Sequence, residues 1–277
     1  MTTMDRAIEI PRENYRILQA SVFEEVGIVL EDNKSYLFES RLAPVIKQLN
    51  LRSIDDLCKQ LQAPGNRQVR QMVGEAMTTN ETYFFRDPAQ YEAIKMHLLP
   101  RLREEHRDRR KLSFWSSASS TGQEAYSLAI MLLEEGFRDW DIQILGTDIS
   151  PKVVERARTG LFQQIEVNRG LPANLLVKYF RRSGTGWQLR EDVCRMVRFE
   201  TIDLRQNMRT LGPFDLVFCR NVMIYFDDQT KIHILKEMHG TLFRGGWLLL
   251  GGAETAPHAD QWFARQTLGN ITYYLAR

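Results

Sequence analysis

The sequence predicts an α/β protein in which an N-terminal all-α helical domain precedes a domain built on a parallel sheet, with a small β-subdomain inserted in it. Up to Met77 the apolar residues recur at helical spacing, and nothing before residue 80 has the pattern of a strand. From Lys111 onward, short apolar runs such as LSFWS, DIQILGTDI and FDLVFCRN alternate with helical segments, which is the order of a parallel sheet covered by helices. We therefore predict a helical domain over residues 1–77, a linker over 78–87 and a second domain over 88–277.

Four helices are predicted in the first domain. The apolar positions that define the first helix are Tyr15, Leu18, Val22 and Val26. Gly27 is suited to end that helix, and Pro44 is expected to bend the second. Ser53 to Asp56 resembles an N-terminal cap for the third helix, and the spacing from Val69 to Ala76 predicts the fourth.

The second domain begins with a predicted helix and ends with a predicted hairpin. Pro88 can start the helix, and Pro100 is expected to end or kink it. The inserted β-subdomain is predicted at about residues 181–200, around the turn from Gly184 to Trp187. The final runs FARQTL and ITYYLAR, separated by a short turn, predict an antiparallel pair that closes the sheet.

Composition excludes several classes of function. The formal net charge is only +2, so no broad basic face suggests a nucleic-acid partner. The three cysteines are far apart and no CxxC or HExxH pattern occurs, so we expect neither a disulfide framework nor a metal site. The first residues lack the apolar core of a signal peptide, and no run is long enough to span a bilayer. We expect a cytoplasmic protein without direct membrane insertion.

The segment WSSASSTGQE, Trp115 to Glu124, is predicted to be a ligand-binding turn. It follows the first strand of the predicted sheet, where ligands of such sheets bind. Its small residues let a ligand approach the backbone, and Glu124 can accept hydrogen bonds from a cationic amino acid. The segment is neither GxGxxG nor GxxxxGK[ST], so a nucleotide without phosphates fits better than a dinucleotide or a triphosphate.

Two further carboxylates lie at predicted strand ends. Asp148, in LGTDIS, is placed to hold both ribose hydroxyls, and Asp203, in TIDL, to lie beside an adenine pocket. The alternative is that Glu124 and Asp148 only cap helices.

Four motifs give the chain a close resemblance to the CheR-type chemotaxis receptor (protein-glutamate) O-methyltransferases. The motifs are TTNETYFFRD, WSSASSTGQEAYSLA, LGTDIS and FDLVFCRNVMIYF, the last being the most specific. The resemblance extends over essentially the whole chain. It implies a Rossmann-like class I methyltransferase domain that uses S-adenosylmethionine and releases S-adenosylhomocysteine.

The same resemblance implies the site residues. The cofactor-binding set is Asn80, Thr82, Arg86, Glu124, Asp148, Asp203, Leu204, Arg220 and Asn221. The implied catalytic residues are Arg86, which would fork onto the acceptor carboxylate, and Tyr225, which would orient the acceptor through its hydroxyl; the alternative for Tyr225 is an aromatic packing role. Family members usually carry Asn where this chain has Asp203, and Glu where it has Gln123.

The implied substrates are the methyl-accepting chemoreceptors, whose cytoplasmic helical bundles present acidic faces. The N-terminal domain is the expected recognition surface, with basic candidates at Arg41, Lys47, Arg52, Arg67 and Arg70, each of which has the alternative of simple solvation. Ser183 to Trp187 looks shorter than in members that bind a receptor tail, so we expect no docking of a tail peptide. Competing hypotheses are a noncatalytic S-adenosylmethionine-binding signalling adaptor and a methyltransferase with a different acceptor.

Overall fold

The structure is a computed structural model that describes residues 10–277. The chain divides into two compact units, one containing the residues up to Thr79 together with Tyr225–Asp227, and the other containing Asn80–Ile224 and Asp228–Arg277. Residues 1–9, on which the expectation about a signal peptide partly depends, lie outside the described part. Within residues 10–277, no helix is both long and apolar enough to cross a bilayer.

The first unit contains the four predicted helices, α1 (Arg12–Val26), α2 (Ser35–Gln48), α3 (Ile54–Gln62) and α4 (Arg67–Met77). The four apolar positions that define α1 are all buried. Gly27 ends α1 in the left-handed conformation, with φ 74°, because glycine adopts it without the cost of a Cβ. The Ser53 hydroxyl accepts the Asp56 N–H at 3.2 Å, which confirms the predicted cap of α3.

The second unit begins with three consecutive helical segments, α5 (Pro88–Ala93), a π-helical turn (Ile94–Leu98) and α6 (Leu99–Glu105). Pro88 starts α5 as predicted. Pro100, which was expected to end or kink the helix, does not end it: the helical chain continues to Glu105, and Pro100 lies in the first turn of α6, directly after the π-helical turn that interrupts the α-helical pattern. In the π-helical turn the hydrogen bonds span five residues instead of four, as in the bond from the Leu99 N–H to the Ile94 carbonyl.

A seven-stranded sheet forms the core of the second unit, as the alternating pattern predicted. In chain order its strands are β1 (Lys111–Ser116), β2 (Asp141–Asp148), β6 (Val197–Thr201), β7 (Phe214–Cys219), β8 (Leu242–Leu250), β9 (Phe263–Leu268) and β10 (Ile271–Ala276). Their spatial order is β6-β2-β1-β7-β8-β10-β9. The first five are parallel, whereas β10 is antiparallel to both β8 and β9, which confirms the closing hairpin.

The three longest helices of this unit lie in the connections between its parallel strands. They are α7 (Gln123–Glu134), α8 (Pro151–Thr159) and α12 (Asp228–His239). The chain proceeds from β1 outward through β2 to β6, then returns to the other side of β1 with β7. Ligands of open α/β sheets bind at such a change of direction, beyond the carboxyl ends of the strands. The predicted ligand turn, which follows β1, therefore lies where the topology favours a site.

The inserted β-subdomain is a separate three-stranded antiparallel sheet of β3 (Leu161–Gln163), β4 (Phe180–Ser183) and β5 (Gly186–Leu189), in the order β3-β5-β4. The predicted turn joins β4 to β5. Three short helices, α9 (Gln164–Val167), α10 (Ala173–Tyr179) and α11 (Glu191–Cys194), accompany this sheet. The subdomain thus begins near Leu161, earlier than the sequence indicated, because β3 is too short to display a strand period.

Candidate active site

The turn after β1 is buried and tied to both neighbouring strands. Ser117 N–H donates to the Phe218 carbonyl of β7 at 2.8 Å, and Ser119 N–H donates to the Thr147 carbonyl of β2 at 2.7 Å. Ser117 and Ser119 are each only 1% exposed. The backbone of the turn is therefore fixed by strands on both sides and is preorganised for a ligand.

A glycine in β2 allows this arrangement. A Cβ at Gly146 would lie 2.4 Å from the Phe199 ring and 3.1 Å from Ser119 Oγ. Real Cβ contacts are never as short as the first distance, so the ring of Phe199 packs against the turn only because residue 146 has no side chain.

Glu124 lies in the first turn of α7 and forms a buried ion pair. Its carboxylate accepts a hydrogen bond from Ser116 Oγ at 2.7 Å and one from Arg220 Nη1 at 3.2 Å. Arg220 Nη2 also donates to an Asp87 oxygen at 2.6 Å and to the Arg86 carbonyl at 2.7 Å. Removal from water raises the pKa of Glu124, while the Arg220 charge and the Ser116 hydrogen bond act in the opposite direction.

Asp148 ends β2 as predicted and is held by backbone donors. Its carboxylate accepts the Ser120 N–H at 2.9 Å and the Ser150 N–H at 3.0 Å. The second bond comes from Ser150, the residue that precedes α8, and not from an N–H of the first turn of the helix, whereas the first bond joins Asp148 to the predicted ligand turn. Burial raises the pKa of Asp148, and the backbone donors oppose that rise.

Asp203 and Leu204 follow β6 at the same edge of the sheet. The Ile202 N–H donates to the Asp148 carbonyl at 3.0 Å, which brings the ends of β2 and β6 together. Leu204 is buried, whereas Asp203 is ion-paired with Arg205 at 2.7 Å. The negative charge of Asp203 is thus balanced by the adjacent Arg205.

Gln123, the residue before Glu124, is buried and hydrogen-bonded within the turn. Gln123 is 2% exposed, and its amide oxygen accepts a hydrogen bond from Thr121 Oγ1 at 2.7 Å. A neutral side chain at this buried position avoids a second carboxylate next to Glu124.

The segment from Asn80 to Arg86 belongs to the second unit. The Asn80 carbonyl accepts a hydrogen bond from Ser120 Oγ at 2.9 Å, so this segment contacts the turn directly. Arg86 Nη1 donates to the Glu81 carbonyl at 3.0 Å, and its guanidinium lies 5.6 Å from the Tyr83 ring centroid. Thr82 is partly buried.

Asn221 follows the buried Arg220 at the end of β7, but Tyr225 groups with the other unit. Asn221 has φ 58°, in the left-handed region, and is partly buried. Tyr225 is counted with the N-terminal helices, where its carbonyl accepts the Val29 N–H at 2.9 Å. Nine of the ten predicted site residues therefore lie in the second unit, and Tyr225 lies in the first.

Sequence reasoning missed two residues that organise this region. Asp87 directly precedes the predicted helix start at Pro88 and is an ion-pair partner of Arg220. Glu254 was not singled out, yet its carboxylate accepts backbone N–H groups from Asn221, Val222, Met223 and Gly251. The position of Glu254 shortly after a predicted strand was the one signal that could have indicated it, and no local pattern indicated the ion pair of Asp87.

The residues present fit the expected S-adenosylmethionine. Ser119 Oγ is buried and has no hydrogen-bond partner among residues 10–277, so a polar group is available in the turn. Asp148 ends β2, and Glu124 lies in the first turn of the helix that follows β1; each carboxylate already accepts hydrogen bonds from neighbouring groups. Carboxylate acceptors suit a ligand that carries an amine and hydroxyls and no phosphate.

Comparison with known proteins identifies the family. The model of the CheR methyltransferase SAM-binding domain matches residues 80–270, and that of the CheR methyltransferase all-alpha domain matches residues 13–78. The chemotaxis protein methyltransferase of Vibrio parahaemolyticus is 37% identical over 254 residues, covering 90% of this chain and 91% of the relative. Chemotaxis protein methyltransferase 1 of Pseudomonas aeruginosa is 37% identical, with 87% and 89% covered, and chemotaxis protein methyltransferase Cher2 of Pseudomonas putida is 38% identical, with 82% and 85% covered. The chain belongs to the CheR methyltransferase family and is an S-adenosylmethionine-dependent methyltransferase.

Proposed function

We propose that the protein transfers the methyl group of S-adenosylmethionine to glutamate side chains in the cytoplasmic helical region of chemoreceptors, forming glutamate methyl esters in chemotaxis adaptation. The observation that carries the proposal is the buried turn at the change of strand direction, flanked by Glu124 and Asp148. The names of the relatives, which are chemotaxis protein methyltransferases, support the acceptor class. We place this activity in the cytoplasm, where the receptor region and a reducing environment for three free cysteines coincide.

The proposed cofactor site uses the residues at the carboxyl ends of the strands. Glu124 receives the amino-acid end, oriented by its bonds to Ser116 and Arg220, and Asp148 receives the ribose hydroxyls. Leu204 contributes an apolar wall for the adenine, with Asp203 beside it. Asn80, Thr82, Arg86 and Asn221 complete the set.

The chemistry requires placement rather than proton transfer. The cofactor supplies an electrophilic methyl group on its sulfonium centre. A glutamate side chain has a pKa of about 4.3 in model peptides, so it is ionised at neutral pH and needs no general base. Holding the carboxylate in line with the methyl group can contribute about 7–11 kcal/mol, judged from well-oriented intramolecular reactions.

Arg86 and Tyr225 are the proposed acceptor-orienting residues. One guanidinium nitrogen of Arg86, Nη1, donates to the Glu81 carbonyl, and the other N–H groups of the guanidinium are proposed to donate to the acceptor carboxylate. Tyr225 is proposed to orient the acceptor through its hydroxyl.

Recognition of the receptor is proposed for the helical unit. Arg41 donates to the Met77 and Thr78 carbonyls at 2.7 and 3.1 Å, so it holds the end of α4 rather than a partner. Lys47, Arg52 and Arg67 are exposed and remain the basic candidates for an acidic helical face.

We further propose that the enzyme works without a receptor tail, because only two residues join β4 to β5. Titration of a receptor tail peptide against the protein is expected to show no binding. Saturable binding with defined stoichiometry would refute this.

A methylation assay tests the function. Labelled S-adenosylmethionine is incubated with the protein and a chemoreceptor cytoplasmic fragment, and base-labile methyl groups are counted. We expect base-labile label on the fragment, lost when its acidic face is changed from Glu to Gln. Cofactor binding without any transfer would favour the noncatalytic adaptor, and base-stable label would favour another acceptor group.

A further inference from the structure

The loop that follows β7 is held by a single carboxylate. Glu254 lies in the loop after β8, and its Oε1 accepts the N–H groups of Val222 and Met223 at 2.8 and 2.7 Å. Its Oε2 accepts the N–H groups of Asn221 and Gly251 at 2.8 and 2.6 Å. One side chain thus fixes three successive amides of the β7 loop and joins them to the β8 loop.

The β7 loop has a conformation that needs such support. Asn221 has φ 58°, which costs free energy for a residue with a side chain. Successive N–H groups that point to one side form a concave site for an anion, and here the anion is the Glu254 carboxylate. The hydrogen bonds to Glu254 offset the free-energy cost of the left-handed conformation of Asn221. They also give the loop amides an acceptor that water would otherwise have to supply.

Gly251 makes the close approach of the two loops possible. A Cβ at this position would lie 2.6 Å from Glu254 Oε2 and 3.2 Å from the Asn221 nitrogen. A Cβ at the next residue, Gly252, would meet nothing within 4 Å. The pair of glycines therefore offers a disruptive substitution and a matched neutral one.

We propose that Glu254 is a positioning residue for methyl transfer, setting through the β7 loop the placement of Asn221 and of the chain that leads to Tyr225. This inference rests on the proposed function, because it assumes that Asn221 contacts the cofactor and that Tyr225 orients the acceptor. Within residues 10–277 the hydrogen bonds of the Glu254 carboxylate come from backbone amides, so Glu254 acts on the reaction through the loop.

Glu254→Gln is the informative substitution. The glutamine keeps the shape of the side chain, but its amide nitrogen cannot accept, so at most two of the four backbone donors retain an acceptor. We expect S-adenosylhomocysteine affinity to fall about tenfold and kcat about thirtyfold, the scale of losing charged hydrogen bonds at a buried site, with KM for the receptor fragment unchanged. Gly251→Ala should reproduce this effect, and Gly252→Ala should match the wild type.

The readouts separate positioning from stability. Calorimetric titration with S-adenosylhomocysteine gives both the affinity and the fraction of competent protein, and kcat is divided by that fraction. A Glu254→Gln protein with wild-type affinity and corrected kcat, even if it melts earlier, would overturn the proposal. If the wild type binds S-adenosylhomocysteine but methylates no receptor fragment, the proposed function fails, while the affinity comparison still tests the link from Glu254 to Asn221.

Discussion

Replacing Arg220 with methionine removes the cation from the buried ion pair with Glu124. Arg220 is 3% exposed and Glu124 is 9% exposed, so the carboxylate left behind has little access to water. Removing one partner of a buried pair costs about 3–5 kcal/mol, because the remaining charge is uncompensated. At about 2–4 °C per kcal/mol for a protein of this size, Arg220→Met should lower the melting temperature by about 6–20 °C at pH 7.5.

The pH dependence has a defined sign. Burial already raises the pKa of Glu124, and loss of the Arg220 charge removes a force that opposed the rise. A carboxyl whose folded pKa is above its unfolded value favours the folded state at low pH, and that contribution is lost as pH rises through the folded pKa. The penalty of Arg220→Met should therefore be smaller at pH 5 than at pH 7.5.

Thermal unfolding followed by circular dichroism at both pH values measures this effect. The control is the double variant Arg220→Met with Glu124→Gln, which removes both charges and should recover part of the lost stability. A melting temperature within 2 °C of the wild type at pH 7.5, as expected for less than about 1 kcal/mol, would refute the buried-pair reasoning. So would a penalty that is the same at both pH values.

Two other predictions concern the acceptor and the turn. Tyr225→Phe should leave S-adenosylhomocysteine affinity within about threefold of the wild type but lower kcat about a hundredfold, the scale of losing an orienting contact. Arg86→Ala should lower kcat to a similar degree and should also weaken S-adenosylhomocysteine binding, because Arg86 belongs to the proposed cofactor-binding set; normal turnover by both variants would remove the proposed roles. Gly146→Ala should cost about 1–3 kcal/mol, because its Cβ would lie 2.4 Å from the Phe199 ring. Calorimetry and thermal unfolding compare the Gly146→Ala protein with the Gly252→Ala protein, in which the added Cβ meets nothing within 4 Å. Equal melting temperatures for the two variants would contradict the proposed clash with Phe199.

Local patterns were sufficient for much of the fold. The helical spacing from Tyr15 to Val26 and the glycine after it predicted α1 to the residue at its C-terminal end. The alternation of strands and helices after Lys111 predicted the parallel strands, and the last two runs predicted the β9–β10 hairpin. These elements were predictable because each is specified by residues close together in sequence.

Features that depend on distant contacts were not predictable in this way. β3 has three residues and exists because it pairs with β5, which lies more than twenty residues later. The π-helical turn before Pro100 left no periodic signal. Glu254 contacts amides that lie about thirty residues away, and the sequence gives no indication of which carboxylate faces a loop.

The candidate site shows the same division. Asp148 and Glu124 were found because strand ends and helix starts can be located from local pattern. The partners that orient them, such as Arg220 on Glu124 and Ser120 on Asp148, come from other strands and turns. Roles for Asn80, Thr82, Leu204 and Asn221 came from the family resemblance, and these roles stay predictions.

Tandem mass spectrometry of a chemoreceptor cytoplasmic fragment, after incubation with the protein and S-adenosylmethionine, tests whether the protein esterifies receptor glutamates. We expect a mass increment of one methyl group on glutamate side chains of the helical region, removed by mild alkali and absent when S-adenosylmethionine is omitted. Methyl groups on other residue types, alkali-stable methylation, or an unmodified fragment in the presence of a protein that binds the cofactor would contradict it.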